Sequence, residues 1–377
     1  MRIAVNTRFL LKGKMEGFGR FTQESMSRIV RQHPEHEFLF FFDRPYDEQF
    51  LFADNVQGFN LFPPARHPVL FLAWFEGMVA HQLHRQKADV FLSPDGFCSL
   101  RTSTPTLLVV HDISFKHYPE YVPFVERQYY DRFMPRFIQK ARRVATVSEY
   151  SKQDIAANYS ISTDKIDVVY NGVNPEFIPL SGDAQQAVRD QFSNGQPFFL
   201  YVGSVHPRKN VSRLIQAFDQ FKQQSGSPMQ LLLGGRMAWQ TSDVEQVFRA
   251  SPHQSDIHFL GRLSQADLIR LTASAFALTY VSILEGFGIP ILEAMQCHTP
   301  VITSNVTSMP EVAGNAAQLV DPFSVDSIAQ GMLHMWQDAT FREQCIATGQ
   351  EQLKQFSWAQ TADRLWASLM RTHSSEV

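Results

Sequence analysis

Short apolar runs alternating with stretches of helical period, from one end to the other, constrain this chain more than any other feature. Runs at residues 3–6, 38–42, 90–92, 106–110, 143–147 and 166–169 are short enough and apolar enough to be buried strands. Helical patterns lie between several of them, and that order predicts α/β architecture with parallel sheets. After Tyr170 the stretch NGVNPEFIPLSGD brings together Asn-Gly, two prolines and a second glycine, the composition of a connector between domains. A second alternation follows, with strands expected at 198–202, 230–233, 257–260, 276–279, 301–303 and 317–320 and helices at 211–224, 265–274 and 290–297. Two doubly wound domains in series place a ligand cleft between the carboxyl ends of their strands. In the closing FSWAQTADRLWASLM, Trp358, Ala362, Leu365 and Leu369 share one helical stripe, the pattern of ordinary packing.

A length of 377 residues suits two domains, each with its own core. Apolar residues at 44% and charged residues at 19% exclude a disordered or fibrous chain. With 34 basic and 37 acidic residues the net charge is −3, no footprint for nucleic acid, and none is expected as a partner. Cys98, Cys297 and Cys345 lie too far apart for a zinc site or a disulfide framework, which points to a reducing cytoplasm. The start MRIAVNTRFL lacks the order of a signal peptide. The longest apolar run, 68–80, is short of a membrane span and is interrupted by Glu76. A soluble or peripheral protein is expected.

Four stretches have residue types suited to chemistry or ligand binding. In EGFGIPILEA, Glu285 and Glu293 flank a Gly-Phe-Gly turn and a proline suited to a helix start. Gly286, Phe287 and Gly288 would let backbone approach a ligand, with the helix N–H groups behind them facing an anion. Glu285 is expected on the loop and Glu293 in the first helical turn. Residue types alone equally allow a solvated loop charge and a carboxylate that favours the helix dipole. In YVGSVHPRKN a strand ends at Gly203 and delivers the adjacent cations Arg208 and Lys209. Cations held at a leaving diphosphate stabilise charge that grows in the transition state. In LLVVHDISF, His111 and Asp112 follow a strand. GFGRFTQE reads as a glycine-bearing loop with Gly17, Gly19 and Arg20, and it lacks the third glycine of a dinucleotide fingerprint.

The spacing of Glu285 and Glu293, with the following EAMQCHTPVITSNVTSMPEVAGNAAQLVDP, resembles the glutamate-x7-glutamate signature of retaining GT-B glycosyltransferases, specifically glycosyltransferase family 4. GFGRFTQ, VHDIS, NGVNPEF and VGSVHPRKN extend the resemblance over nearly the whole chain. It implies two Rossmann-like domains facing a cleft: an acceptor-binding domain at 1–172, a nucleotide-sugar-binding domain at 173–355, and a helix at 356–377 that returns to the first. It implies that Glu285 holds donor sugar hydroxyls, Glu293 ribose hydroxyls, Arg208 and Lys209 the diphosphate, and that His111 contacts the sugar. Gly17 and Gly19 would reach towards the diphosphate, Arg262 and Leu263 would frame the base, and Arg20 and Asp112 fall on the acceptor side. Ser204 departs from the arginine many members carry after the glycine, so Arg208 and Lys209 bear more of the charge or the phosphate geometry differs.

The implied reaction transfers a hexose, with retention, from a nucleotide-sugar to a hydroxyl of a glycan or lipid-linked glycan. GDP-mannose is the first donor expected. A UDP-sugar donor, or a non-catalytic glycan-binding or scaffolding subunit on the same fold, is the alternative. No Asp-x-Asp triplet occurs, so no metal and no other cofactor is expected. RQYYDRFMPRFIQKARR, residues 127–143, mixes six basic side chains with four aromatics, either to rest on an anionic membrane or as a solvated helix with its aromatics inward. Pro135 predicts a kink or break in it. LFLAWFEGMV, 70–79, reads either as a buried helix or as a membrane-touching element. The expected location is cytoplasmic, with peripheral contact on the inner membrane face.

Overall fold

The computed structural model describes residues 1–13, 15, 17–65, 67–236 and 242–374. The chain divides into two compact units, Met1–Gly172 with Trp358–Val377, and Val173–Ser357. In the first, strands β1 (Arg2–Asn6), β2 (Glu37–Phe42), β3 (Val56–Asn60), β4 (Val90–Ser93), β5 (Thr106–Val109), β6 (Arg143–Thr146) and β7 (Ile166–Val168) form one sheet in the order 3-2-1-4-5-6-7. In the second, β8 (Phe198–Val202), β9 (Gln230–Gly234), β10 (Ile257–Gly261), β11 (Ala277–Tyr280), β12 (Val301–Ser304) and β13 (Gln318–Val320) run 10-9-8-11-12-13. Every pairing is parallel. The strand order reverses between β1 and β4 and between β8 and β11, and in open α/β sheets ligands bind at the carboxyl ends beside such reversals.

Helices cover both faces of a parallel sheet, so its strands must be apolar throughout. The run EFLFFF meets that demand: in β2 only Glu37 is exposed, and Phe38, Phe40, Phe41 and Phe42 are buried. The helix Trp358–Ser374 packs within the first unit through Trp358, Ala362, Leu365 and Leu369, all buried. Its polar edge is tied down as well. Ser368 Oγ donates to Asp167 at 2.6 Å and Thr361 Oγ1 donates to the Tyr170 carbonyl at 2.7 Å.

The structure departs from the sequence reading in three places. Strand β3 was not expected, because VQGFN has one buried residue and a glycine; at Gly58 the Tyr46 ring occupies the space a Cβ would take. GFGRFTQE is no loop but the start of the helix Gly17–Gln32, anchored by buried Phe21, Met26, Ile29 and Val30. The helix Phe124–Lys140 runs through Pro135. Pro135 removes the donor to the Asp131 carbonyl, but Asp131 is on the exposed face where solvent satisfies it, and buried Tyr129, Met134, Phe137 and Ile138 hold the helix on both sides. Over 70–79 one face is interior and one is not: Trp74, Phe75 and Val79 are buried, Ala73, Gly77 and Met78 are exposed, and Glu76 accepts the backbone N–H groups of Leu100 and Arg101. Among the described residues no helix is long and apolar enough to cross a membrane.

Candidate active site

In the second unit the loop after β8 is shaped to present two cations. The His206 ring accepts the Arg208 N–H and Pro207 opens a 3-10 turn, Pro207–Lys209. Asn210 then takes the left-handed conformation, φ 64°, and its amide braces the loop to the Val281 and Pro322 carbonyls at 3.0 and 2.7 Å. The turn packs on the loop after β11, because the Ile283 N–H donates to the Arg208 carbonyl at 2.9 Å. The cations therefore meet Glu285. Arg208 Nη1 donates to Glu285 Oε2 at 2.9 Å and to the Leu284 carbonyl at 2.6 Å. Lys209 Nζ donates to Glu285 Oε1 at 2.6 Å and to the Tyr280 hydroxyl at 2.8 Å.

Glu285 is 7% exposed. Burial opposes its ionisation, but Arg208 and Lys209 more than offset this and hold its carboxyl at about 2. It is a carboxylate throughout the physiological range. Two cations share this one carboxylate in a setting with little water to screen their attraction. Tyr280, which the sequence reading missed, is buried at the end of β11, and its phenol is pushed well above its ordinary range by burial and then by Glu285. It stays a neutral hydroxyl, with Lys209 Nζ also 5.0 Å from its ring centroid.

After Glu285 the chain turns through buried Gly286 and Phe287 and reaches Gly288 at φ 112°, where a Cβ would come within 3.1 Å of Ile291. The helix Ile289–Gln296 begins there with Pro290 in its first turn. Glu293 is buried in this helix, one residue further in than expected and so just past the first turn, because the helix starts at Ile289. Beside the cluster the ends of three strands are laced through glycines. Gly203 N–H donates to Gly234 O at 2.9 Å and Gly235 N–H to Gly261 O at 2.8 Å. Gly235, at φ 150°, cannot be replaced, since a Cβ would sit 1.8 Å from the Gly203 carbonyl oxygen. Leu263 packs against Gly234 and Arg262 is exposed at the same edge.

In the first unit His111 lies between two rings of the Gly17–Gln32 helix, Phe18 at 4.8 Å and Phe21 at 5.0 Å. Its Nε2 is 2.9 Å from the Pro94 carbonyl, an atom that can only accept, so Nε2 bears the proton. Burial holds the ring below its ordinary pKa, against the opposing pull of the Pro94 bond, Asp112 and Asp95. A neutral ring protonated at Nε2 leaves Nδ1 as an acceptor, suited to a hydroxyl. Asp112 accepts the Ser114 N–H at 2.9 Å and so shapes the chain after His111. Gly19 is required by the close passage of Phe9, whose carbonyl would lie 2.4 Å from a Cβ, whereas Gly17 faces open space. Arg20 falls in the same first helical turn. Sequence reasoning also missed the buried Arg8–Asp95 ion pair at the β1/β4 reversal. Asn6 bonds the same carboxylate, and Phe9, Phe71, Phe75 and Phe97 lie around the guanidinium.

Among the described residues no cluster of three His, Cys, Asp or Glu side chains is arranged to hold a metal. The cluster is a carboxylate bonded to two cations on the loops that follow β8 and β11.

The chain is similar in sequence and in fold to known proteins. Residues 16–177 match the family described as Glycosyltransferase Family 4, and residues 184–352 that described as Glycosyl transferases group 1. The chain is 30% identical over 359 residues to the O-antigen chain mannosyltransferase B of Escherichia coli, spanning 92% of this chain and 94% of that one. It is 33% identical over 230 residues to the O-antigen chain mannosyltransferase RfbU of Salmonella typhimurium, covering 60% of each. The structure of HepE from Anabaena in complex with UDP-glucose superposes with a TM-score of 0.76 at 18% identity, over 98% of this chain and 99% of that one. WaaG, a glycosyltransferase involved in lipopolysaccharide biosynthesis, gives 0.74 at 14%, over 97% and 99%. Fold and sequence together define a GT-B glycosyltransferase. The chain belongs to glycosyltransferase family 4.

Proposed function

We propose that the protein transfers a hexose from a nucleotide-sugar, GDP-mannose first, to a hydroxyl of a glycan or lipid-linked glycan in surface-polysaccharide assembly, with retention of anomeric configuration. The observation that carries this reading is the contact of Arg208 and Lys209 with Glu285 at the β8/β11 reversal. When a nucleotide-sugar is bound, the two cations engage its diphosphate and Glu285 turns to the sugar hydroxyls, with Glu293 taking the ribose hydroxyls. The bond from the anomeric carbon to the diphosphate oxygen breaks, and a bond to the acceptor oxygen forms on the same face. The acceptor's proton passes to the departing diphosphate, so no protein nucleophile is required. Arg208 and Lys209 neutralise the charge that grows there, and the reading assigns no step to a metal. The first unit supplies His111, whose neutral Nδ1 accepts from a hydroxyl.

The O-antigen mannosyltransferases among the relatives favour mannose as the sugar. HepE with UDP-glucose supports a UDP-hexose as the second reading of the donor. Peripheral contact with an anionic membrane is supported by Phe124 and Val125, 73% and 52% exposed, on the helix that also exposes Arg127, Arg132, Arg136 and Lys140. The test is an NMR assay of the protein with GDP-mannose or UDP-glucose and a mannosylated acceptor. Consumption of GDP-mannose with an axial-linked α product is expected. A β-linked product contradicts retention, use of UDP-glucose alone contradicts the first donor, and consumption of neither moves the scaffold reading forward.

A further inference from the structure

Thr307 is the one β-branched side chain among the described non-glycine residues of positive φ, at 59°. That conformation crowds Cβ against the backbone and is least tolerated by β-branched residues, so it persists only where neighbours enforce it. Thr307 and Ser308 follow β12 and face the loop that carries Glu285. The Glu285 N–H donates to Thr307 Oγ1 at 3.4 Å. The hydroxyl of Ser308, a fully buried residue, lies 2.9 Å from the carbonyls of both Glu285 and Phe287 and shares its single proton between them. The backbone of Glu285 is thus held on both sides by the loop after β12, while its carboxylate is held by the loop after β8.

The two holds answer to different ligand states. The carboxylate's bonds to Arg208 and Lys209 are the ones a diphosphate would take away, whereas the backbone bonds to Thr307 and Ser308 are untouched by an anion. We propose that Thr307 and Ser308 are positioning residues that keep Glu285 in place once its cations have turned to the leaving group, at the cost of a strained backbone at Thr307. The proposal rests on the reading of Glu285 as a donor-sugar ligand. A group fixed before the reaction needs no rearrangement as charge develops, so the clamp acts on turnover rather than on donor affinity.

The test compares Thr307→Gly, Thr307→Ser, Ser308→Ala and Glu285→Gln with the wild type, measuring kcat, donor KM and the unfolding midpoint on whichever of GDP-mannose and UDP-glucose the wild type consumes. Thr307→Gly relieves the strain and removes the hydroxyl. Its midpoint should equal or exceed the wild type while kcat falls roughly tenfold, in line with the sensitivity of such reactions to small misplacements. Thr307→Ser keeps the hydroxyl and should restore the rate. Ser308→Ala should lower kcat by roughly tenfold with donor KM changed less than about threefold. A residue that served the fold alone would lower midpoint and rate together. Thr307→Gly with a wild-type kcat, or with a lowered midpoint, overturns the proposal. So does a loss confined to KM. If Glu285→Gln alone is impaired, the reading of Glu285 stands and the clamp falls. If Glu285→Gln turns over normally, or the wild type consumes neither donor, the underlying reading falls and takes the clamp with it.

Discussion

Glu285→Gln is expected to lower sugar transfer by about 10²- to 10³-fold, while the affinity for a nucleoside diphosphate is kept or increased. The two effects separate because Glu285 has two partners in conflict. Its carboxylate occupies both cations through Arg208 Nη1 and Lys209 Nζ, so any anion that binds them must first compete with it. A neutral amide of the same volume competes far less. The same amide is a poor substitute for a carboxylate in holding sugar hydroxyls against a developing positive charge, so the rate falls. The variant should also be less stable without ligand, since it takes the Glu285 charge away from two partly buried cations, and a nucleoside diphosphate should restore much of that loss. Titration calorimetry with the diphosphate and a donor-consumption assay measure the two quantities. A rate within about tenfold of the wild type, or a large loss of diphosphate affinity, contradicts this account.

Lys209→Ala should produce the other pattern: a comparable fall in transfer, now with diphosphate affinity weakened by about tenfold or more. Here the charge removed is one that the leaving group needs. Glu285 keeps Arg208 as a partner at 2.9 Å, so the carboxylate is not stranded, and the midpoint should move little. The Tyr280 hydroxyl loses its ammonium donor but remains a neutral phenol. Opposite signs on diphosphate affinity for these two neighbouring residues separate a carboxylate that serves the sugar from a cation that serves the phosphates. If both variants weaken the diphosphate equally, Glu285 is part of the anion site itself and its role in the account is wrong.

Much of this was legible because burial leaves a periodic trace. In EFLFFF, QLLLG and FFLYV the continuous apolar character of doubly covered strands marks the sheet, and the stripe through Trp358 and Leu369 marks the helix that packs on the first unit. Glu285, Arg208 and Lys209 were legible as residue types after strands. Their direct contact was not, since it joins loops 76 residues apart and depends on the reversal of strand order. Tyr280 reads in sequence as one more strand aromatic, and only the parity of β11 directs its hydroxyl to Lys209. Thr307 gives no signal at all, because left-handed backbone is expected at Gly or Asn. Gly17 and Gly19 misled for a related reason: glycine marks close approach as well as turns, and at Gly19 the need is the passing Phe9 carbonyl within a helix.

The central claim is that the second unit receives a nucleoside diphosphate at Arg208 and Lys209. Thermal unfolding with GDP, UDP, ADP and CMP, on the wild type and on Lys209→Ala, tests it most directly. A ligand at about 100 times its dissociation constant adds about 2.7 kcal/mol, a rise of several degrees for domains of this size. The account predicts such a rise with one nucleoside diphosphate, GDP first, and its loss in Lys209→Ala. No shift with any of the four, or an equal shift in both proteins, would contradict it.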